Sequence, residues 1–144
     1  MKQSLTVLVV DDSATARTLV GTILAAEDHI VLLAEDFARA LEILDVHRPD
    51  LILTDCSMPG GKGADLVREI RSREAFEHTP VFVLSSEQAP ETRNRMSSAG
   101  ANGWISKPLR VETLLAAVDA VAASIVLQAG PLGAGRGPLR LQVA

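Results

Sequence analysis

Asp11, Asp12, Asp55, Ser85 and Lys107 are the residues of this chain whose types and placement could do chemistry. Each follows a short apolar run: "TVLVV" leads into Asp11-Asp12, "LILT" into Asp55, "VFVL" into Ser85-Ser86 and "WIS" into Lys107. Gathered into one pocket, the three carboxylates would repel one another, and without compensation one would take up a proton. A hard divalent cation with oxygen ligands supplies that compensation. Mg²⁺ suits the set, because it binds through one or two carboxylates plus waters and phosphate oxygens rather than a closed protein cage. A lysine beside them implies an incoming anion. Carboxylate nucleophile, divalent cation, hydroxyl and ammonium together are what phosphoryl transfer requires. A lone aspartate after a strand is most simply a turn former. The conjunction at successive strand ends is what points to a site.

Five β-rich runs must carry these groups, at 6–10, 30–34, 51–54, 81–84 and 104–106. The first four are continuously apolar, the pattern of strands buried on both faces of a parallel sheet. Helical patterns fill the gaps. Ala16, Leu19, Val20, Ile23 and Leu24 draw one stripe behind Ser13, whose hydroxyl can cap the first turn. Phe37, Ala40, Leu41 and Leu44 repeat it behind Asp36, and Leu66, Val67 and Ile70 follow Gly63. Val111, Leu114, Leu115, Val118 and Ala122 make the last. The fourth candidate, "ETRNRMSSAG", offers only Met96 and Ala99 as anchors. Strand and helix thus alternate, which implies an open α/β sheet with right-handed crossovers. Ligands of such sheets sit at the carboxyl ends of the strands, so the polar residues there should converge on one edge.

At 144 residues the chain is sized for one domain, and a hydrophobic content of 47% with 3% aromatics leaves the core to Val, Leu, Ile and Ala. A net charge of −4 gives no basic footprint for nucleic acid, so none is expected as a direct partner. Cys56 is the single cysteine, which rules out an internal disulfide and fits a reducing cytoplasm. It reads as a plain small side chain at a strand end. No stretch has the length and apolarity of a signal peptide or a membrane span, so the expectation is a cytoplasmic protein without membrane insertion. The segment 128–144 is rich in Gly and Pro and keeps no apolar period, so it reads as a flexible tail or linker after a domain at 4–127.

Four stretches in order, "VLVVDDSATAR", "LILTDCSMPGGKG", "VFVLSS" and "AGANGWISKPL", resemble the receiver domain of bacterial two-component response regulators, chemotaxis-type, over about residues 4 to 125. The resemblance implies a flavodoxin-like fold: a five-stranded parallel sheet in the order 2-1-3-4-5 with helices on both faces. It implies that Asp55 is phosphorylated by a phosphohistidine of a sensor histidine kinase or phosphotransfer protein. Asp12, Asp55 and the backbone carbonyl of Ser57 would bind Mg²⁺, with Asp11 acting largely through a bound water. Lys107 would pair with Asp55 and then with the phosphoryl oxygens, and the Lys107–Pro108 bond is expected to be cis. Ser85 would be the switch hydroxyl, and Trp104 stands at the aromatic position that turns inward as that hydroxyl moves. Ser57 and Glu87 occupy positions that tune phosphoryl lifetime, and Gly60-Gly61 loosens the loop beside the acceptor. The fourth helix, fifth strand and fifth helix would form the surface that changes and meets a downstream protein target.

The chain is therefore expected to be a switch rather than a turnover enzyme, monomeric or weakly dimeric. The alternative is a degenerate receiver that binds proteins without phosphorylation, which the presence of Asp12, Asp55, Ser85 and Lys107 disfavours. A flavodoxin-like flavin carrier would need a Ser-, Thr- and Gly-rich first loop where "DDSATA" stands. A phosphatase with an aspartate nucleophile would place nucleophile and acid two residues apart after the first strand. His29, His47 and His78 read as surface or loop histidines. Arg68, Arg71 and Arg73 read as the solvated face of the third helix, and Arg93 and Arg95 as a similar face of the fourth.

Overall fold

A computed structural model describes residues 3–58, 63–86 and 89–128, the side chains of 126–128 excepted. Gly60, Gly61, Glu87 and the stretch 129–144 lie outside the described residues. The elements run β1 Thr6–Val10, α1 Ala14–Ala26, β2 Ile30–Ala34, α2 Phe37–Val46, β3 Leu51–Asp55 and α3 Gly63–Ser72. A single 3₁₀ turn at Glu74–Phe76 precedes β4 Val81–Ser85, α4 Pro90–Ala99, β5 Gly103–Ser106 and α5 Val111–Gln128. All pairings are parallel and the strand order is β2-β1-β3-β4-β5, the doubly wound, flavodoxin-like arrangement.

Successive strand residues point to opposite faces, which divides the core in two. Val7, Val9, Leu51, Leu53, Phe82, Leu84 and Ile105 pack under α1 and α5. Leu8, Val10, Ile52, Val81, Val83 and Trp104 pack against α2, α3 and α4. Local chemistry starts the helices as the sequence suggests. Ser13 Oγ accepts from the Ala16 amide at 3.2 Å, and Asp36 Oδ1 accepts from the Arg39 amide at 2.8 Å, each taking an orphan donor of a first turn. The sparse fourth pattern does form a helix, begun by Pro90 and held by Met96 and Ala99, and ended by Gly100 at a φ of 119°.

Three expectations are corrected. The apolar run of β2 is not buried on both faces: it is the edge strand, and Ile30 and Leu33 are exposed. Leu19, placed on the apolar stripe of α1, is exposed as well, because only Val20 and Leu24 of that helix are buried. His29 is no surface histidine; it is buried, and its Nδ1 accepts from the Leu5 amide at 3.0 Å, joining the residue before β1 to the residue before β2. Among the described residues no helix is long and apolar enough to cross a membrane.

Candidate functional site

Strand register explains how residues far apart in sequence meet. Val10 pairs with Thr54, so one residue further on Asp11 stands beside Asp55 at the carboxyl edge of the sheet. Asp11 and Asp55 are buried and Asp12 is exposed, and carboxylate oxygens of all three lie within 4.8 Å of one another. From the end of β5, Lys107 Nζ reaches Asp11 Oδ2 at 3.1 Å and Asp55 Oδ2 at 3.6 Å. The pairing with Asp55 that the resemblance implies is present, and Asp11 lies nearer still. The Lys107–Pro108 peptide is cis.

Backbone amides fix the remaining carboxylate oxygens. Asp11 Oδ1 accepts from the Ser13 amide at 2.9 Å and Asp55 Oδ1 from the Ser57 amide at 3.0 Å. Each aspartate is thereby held by the turn that follows it. Arg17 Nη1 donates to the Asp11 carbonyl oxygen at 2.6 Å and ties α1 to the same loop. Gly63 opens α3 hard against this region: a Cβ there would fall 2.5 Å from the Cys56 carbonyl oxygen.

Burial raises the Asp55 pKa. The Ser57 amide and the Lys107 ammonium oppose that rise, and the Asp11 and Asp12 charges add to it. For Lys107, burial works against the charged form, but the bond to Asp11 and the charges of Asp55 and Asp11 outweigh it, so its pKa is raised. The result is an acidic pocket short of positive charge, with one ammonium across two buried carboxylates. Hard oxygen donors so close together fit a small divalent cation.

Ser85 ends β4, buried, and its Oγ accepts a hydrogen bond from Cys56 Sγ at 2.8 Å. Trp104, expected to turn inward on switching, is already inward: it is buried in the cluster beneath α4, and the Arg93 guanidinium lies 4.8 Å from its ring centroid. Arg93 therefore does more than face solvent; the pair is a cation–π contact between α4 and β5.

Arg71, read from sequence as solvated, is half-buried instead. Nε donates to the Gly100 carbonyl at 3.0 Å, Nη1 to the carbonyls of Phe76 and Thr79 at 2.9 and 2.6 Å, and Nη2 to Asn102 Oδ1 at 2.6 Å. One side chain so joins α3 to the ends of α4 and the start of β5. Nothing in the local sequence could signal it, since the acceptors are supplied by the tertiary fold. Cys56, expected to be a plain small side chain, bonds Ser85 instead, and Arg17 carries no local signature of its bond to Asp11.

An acidic pocket at the carboxyl edge of a five-stranded parallel sheet, with a lysine from the last strand, defines a receiver-type domain. The chain belongs to the response regulator receiver domain family, which it matches over residues 7–119. It is 33% identical to the chemotaxis protein CheY-3 of Vibrio cholerae over 122 residues, covering 84% of this chain and 94% of that one. It is 40% identical over 116 residues, 80% of its own length, to the gliding motility regulatory protein of Myxococcus xanthus, of which it spans only 15%. Among solved structures, the receiver domain of a sensor histidine kinase from Pseudomonas aeruginosa superposes with a TM-score of 0.77 at 26% identity, over 84% of this chain and 99% of that one. That protein has a magnesium ion coordinated in its active-site cleft. Receiver domains serve as phosphoacceptor switches in two-component signalling.

Proposed function

We propose that this chain takes a phosphoryl group onto Asp55 from a phosphohistidine of a sensor histidine kinase or phosphotransfer protein. The meeting of the Asp11, Asp12 and Asp55 carboxylates, with Lys107 Nζ against two of them, carries this reading. A carboxylate oxygen of Asp55 attacks phosphorus; the P–N bond to the imidazole breaks as the P–O bond forms, and the ring nitrogen keeps the electron pair. The Ser57 amide holds the other oxygen of Asp55 and so orients the attack. Lys107 turns from its carboxylates to the arriving phosphoryl oxygens, and Ser85 donates its hydroxyl to one of them. Mg²⁺, held by Asp12, Asp55 and the Ser57 carbonyl with Asp11 behind them, would offset the carboxylate repulsion and the charge on the transferred group.

A cleft of about 140 Å³ beside the Asp11–Lys107 pair is lined by Ala16, Leu19, Val20 and Leu84 and by Pro108 and Leu109. The output is a change at α4, β5 and α5, where Arg93 covers Trp104, and a downstream protein target reads it. The complete acceptor set argues against a degenerate receiver. The reading extends to residues 4–127 as the switch unit, in a cytoplasmic protein, monomeric or weakly dimeric, that makes no direct contact with nucleic acid.

Intact mass after incubation with acetyl phosphate and Mg²⁺ tests it. One added phosphoryl group is expected on the wild type, and none on Asp55→Asn or after chelation of the metal. Absence of the adduct from the wild type, under conditions that label another receiver, would overturn the assignment.

A further inference from the structure

The contact between Cys56 and Ser85 has its origin in the sheet. Asp55 pairs with Leu84, so one residue further along Cys56 stands beside Ser85. By the alternation of strand side chains, both belong to the face covered by α2, α3 and α4, and Cys56 packs against that cluster. Asp55 has the opposite parity, that of Leu53 and Leu84. The thiol donates to Ser85 Oγ at 2.8 Å, on the face opposite to that of Asp55 by strand alternation.

We propose that Cys56 is a positioning residue, a latch that sets the resting place of the Ser85 hydroxyl and must release it before that hydroxyl can serve a phosphoryl group on Asp55. The inference rests on the switch reading above and adds a residue that governs its set point. A thiol is a weak donor, whereas a hydroxyl bound to a charged phosphoryl oxygen makes one of the stronger hydrogen bonds. Phosphorylation therefore wins the competition, but the latch subtracts from it and keeps the unphosphorylated domain off.

Two measurements decide the matter. Calorimetric titration with beryllofluoride and Mg²⁺, a stand-in for the phosphoryl group, reads the latch as affinity. Cys56→Ala is expected to bind about 2- to 5-fold more tightly than the wild type, the size of one weak hydrogen bond. Cys56→Ser keeps a donor at that position and is expected to restore wild-type or weaker binding, which a simple packing effect would not do. The S–H stretching band belongs to Cys56 alone, because the chain has one cysteine, and Ser85→Ala separates the Ser85 contact from the longer 3.6 Å contact with Ser57 Oγ. The band should shift toward that of a free thiol in Ser85→Ala, and shift the same way when the wild type binds beryllofluoride.

A band unmoved by Ser85→Ala overturns the contact. Equal or weaker binding by Cys56→Ala, while the wild type binds well, overturns the latch and leaves the switch reading standing. A wild type that binds no beryllofluoride and gains no phosphoryl mass removes the switch reading and the latch with it.

Discussion

The pKa of Asp55 is raised, by burial first of all and by the Asp11 and Asp12 charges, against the opposing Ser57 amide and Lys107 ammonium. A folded-state value above the ordinary 3.8 means that the ionised carboxylate costs stability. That cost is full above the raised folded value, recedes as pH falls through it, and is gone below the unfolded value. Asp55→Asn should therefore melt higher than the wild type at pH 7 without Mg²⁺, and the gap should close on acidification; thermal melts at pH 7 and pH 4 give the comparison. A gap that is absent at pH 7, or that widens in acid, would contradict the charge balance described for the pocket. Mg²⁺ should offset the same repulsion. Binding the folded state alone, it should add ~2.7 kcal/mol to the wild type at a hundredfold excess over its dissociation constant, and much less to Asp55→Asn. A titration of melting temperature against Mg²⁺ measures both.

The elements place these residues through contacts of very different legibility. Strands β1, β3 and β4 could be read in the sequence, because each is an apolar run that stops on a polar residue, and so could the caps Ser13 and Asp36; β5 is too short to read from its pattern alone and was expected only through the resemblance. The edge position of β2 could not be read from its composition, since Ile30 and Leu33 look the same whether a helix covers them or water does. Arg71 was misread for a related reason: its carbonyl acceptors exist only once α3, α4 and β5 have docked. Replacing Arg71 by Met keeps the apolar stem and strands those acceptors, at an expected cost of ~2–4 kcal/mol. Urea denaturation should show a lower midpoint with an unchanged slope. Gly63 imposes the other tight constraint, where α3 begins against the Cys56 backbone. Gly63→Ala has to push the β3–α3 connection aside and should cost ~1–3 kcal/mol by the same assay. A neutral effect of either change would mean that the connection between α3 and its neighbours yields more easily than the distances imply.

At the scale of the whole molecule, the sheet is most deeply buried in the middle and thins toward β2, while α4 is anchored by Met96 and Ala99. Amide hydrogen exchange should follow that gradient: slowest in β1, β3 and β4, faster on the outer side of β2, and fastest among the helices in α4. Uniform protection across α4 and α1 would remove the basis for placing the output at α4. The order of the site residues along the sheet edge was legible because parallel topology sends every strand's carboxyl end the same way. That Lys107 lies nearer Asp11 than Asp55, and which way the aromatic faces, was not, because those depend on rotamers and on charge at distances of a few ångströms. The inward aromatic has an optical side. With one tryptophan and no tyrosine in the chain, absorption and emission in the near ultraviolet belong almost wholly to the Trp104 indole. Held in an apolar cluster under a guanidinium, that indole should emit to the blue of a solvated one, and the chain carries its own unlabelled reporter at the seam between α4 and β5.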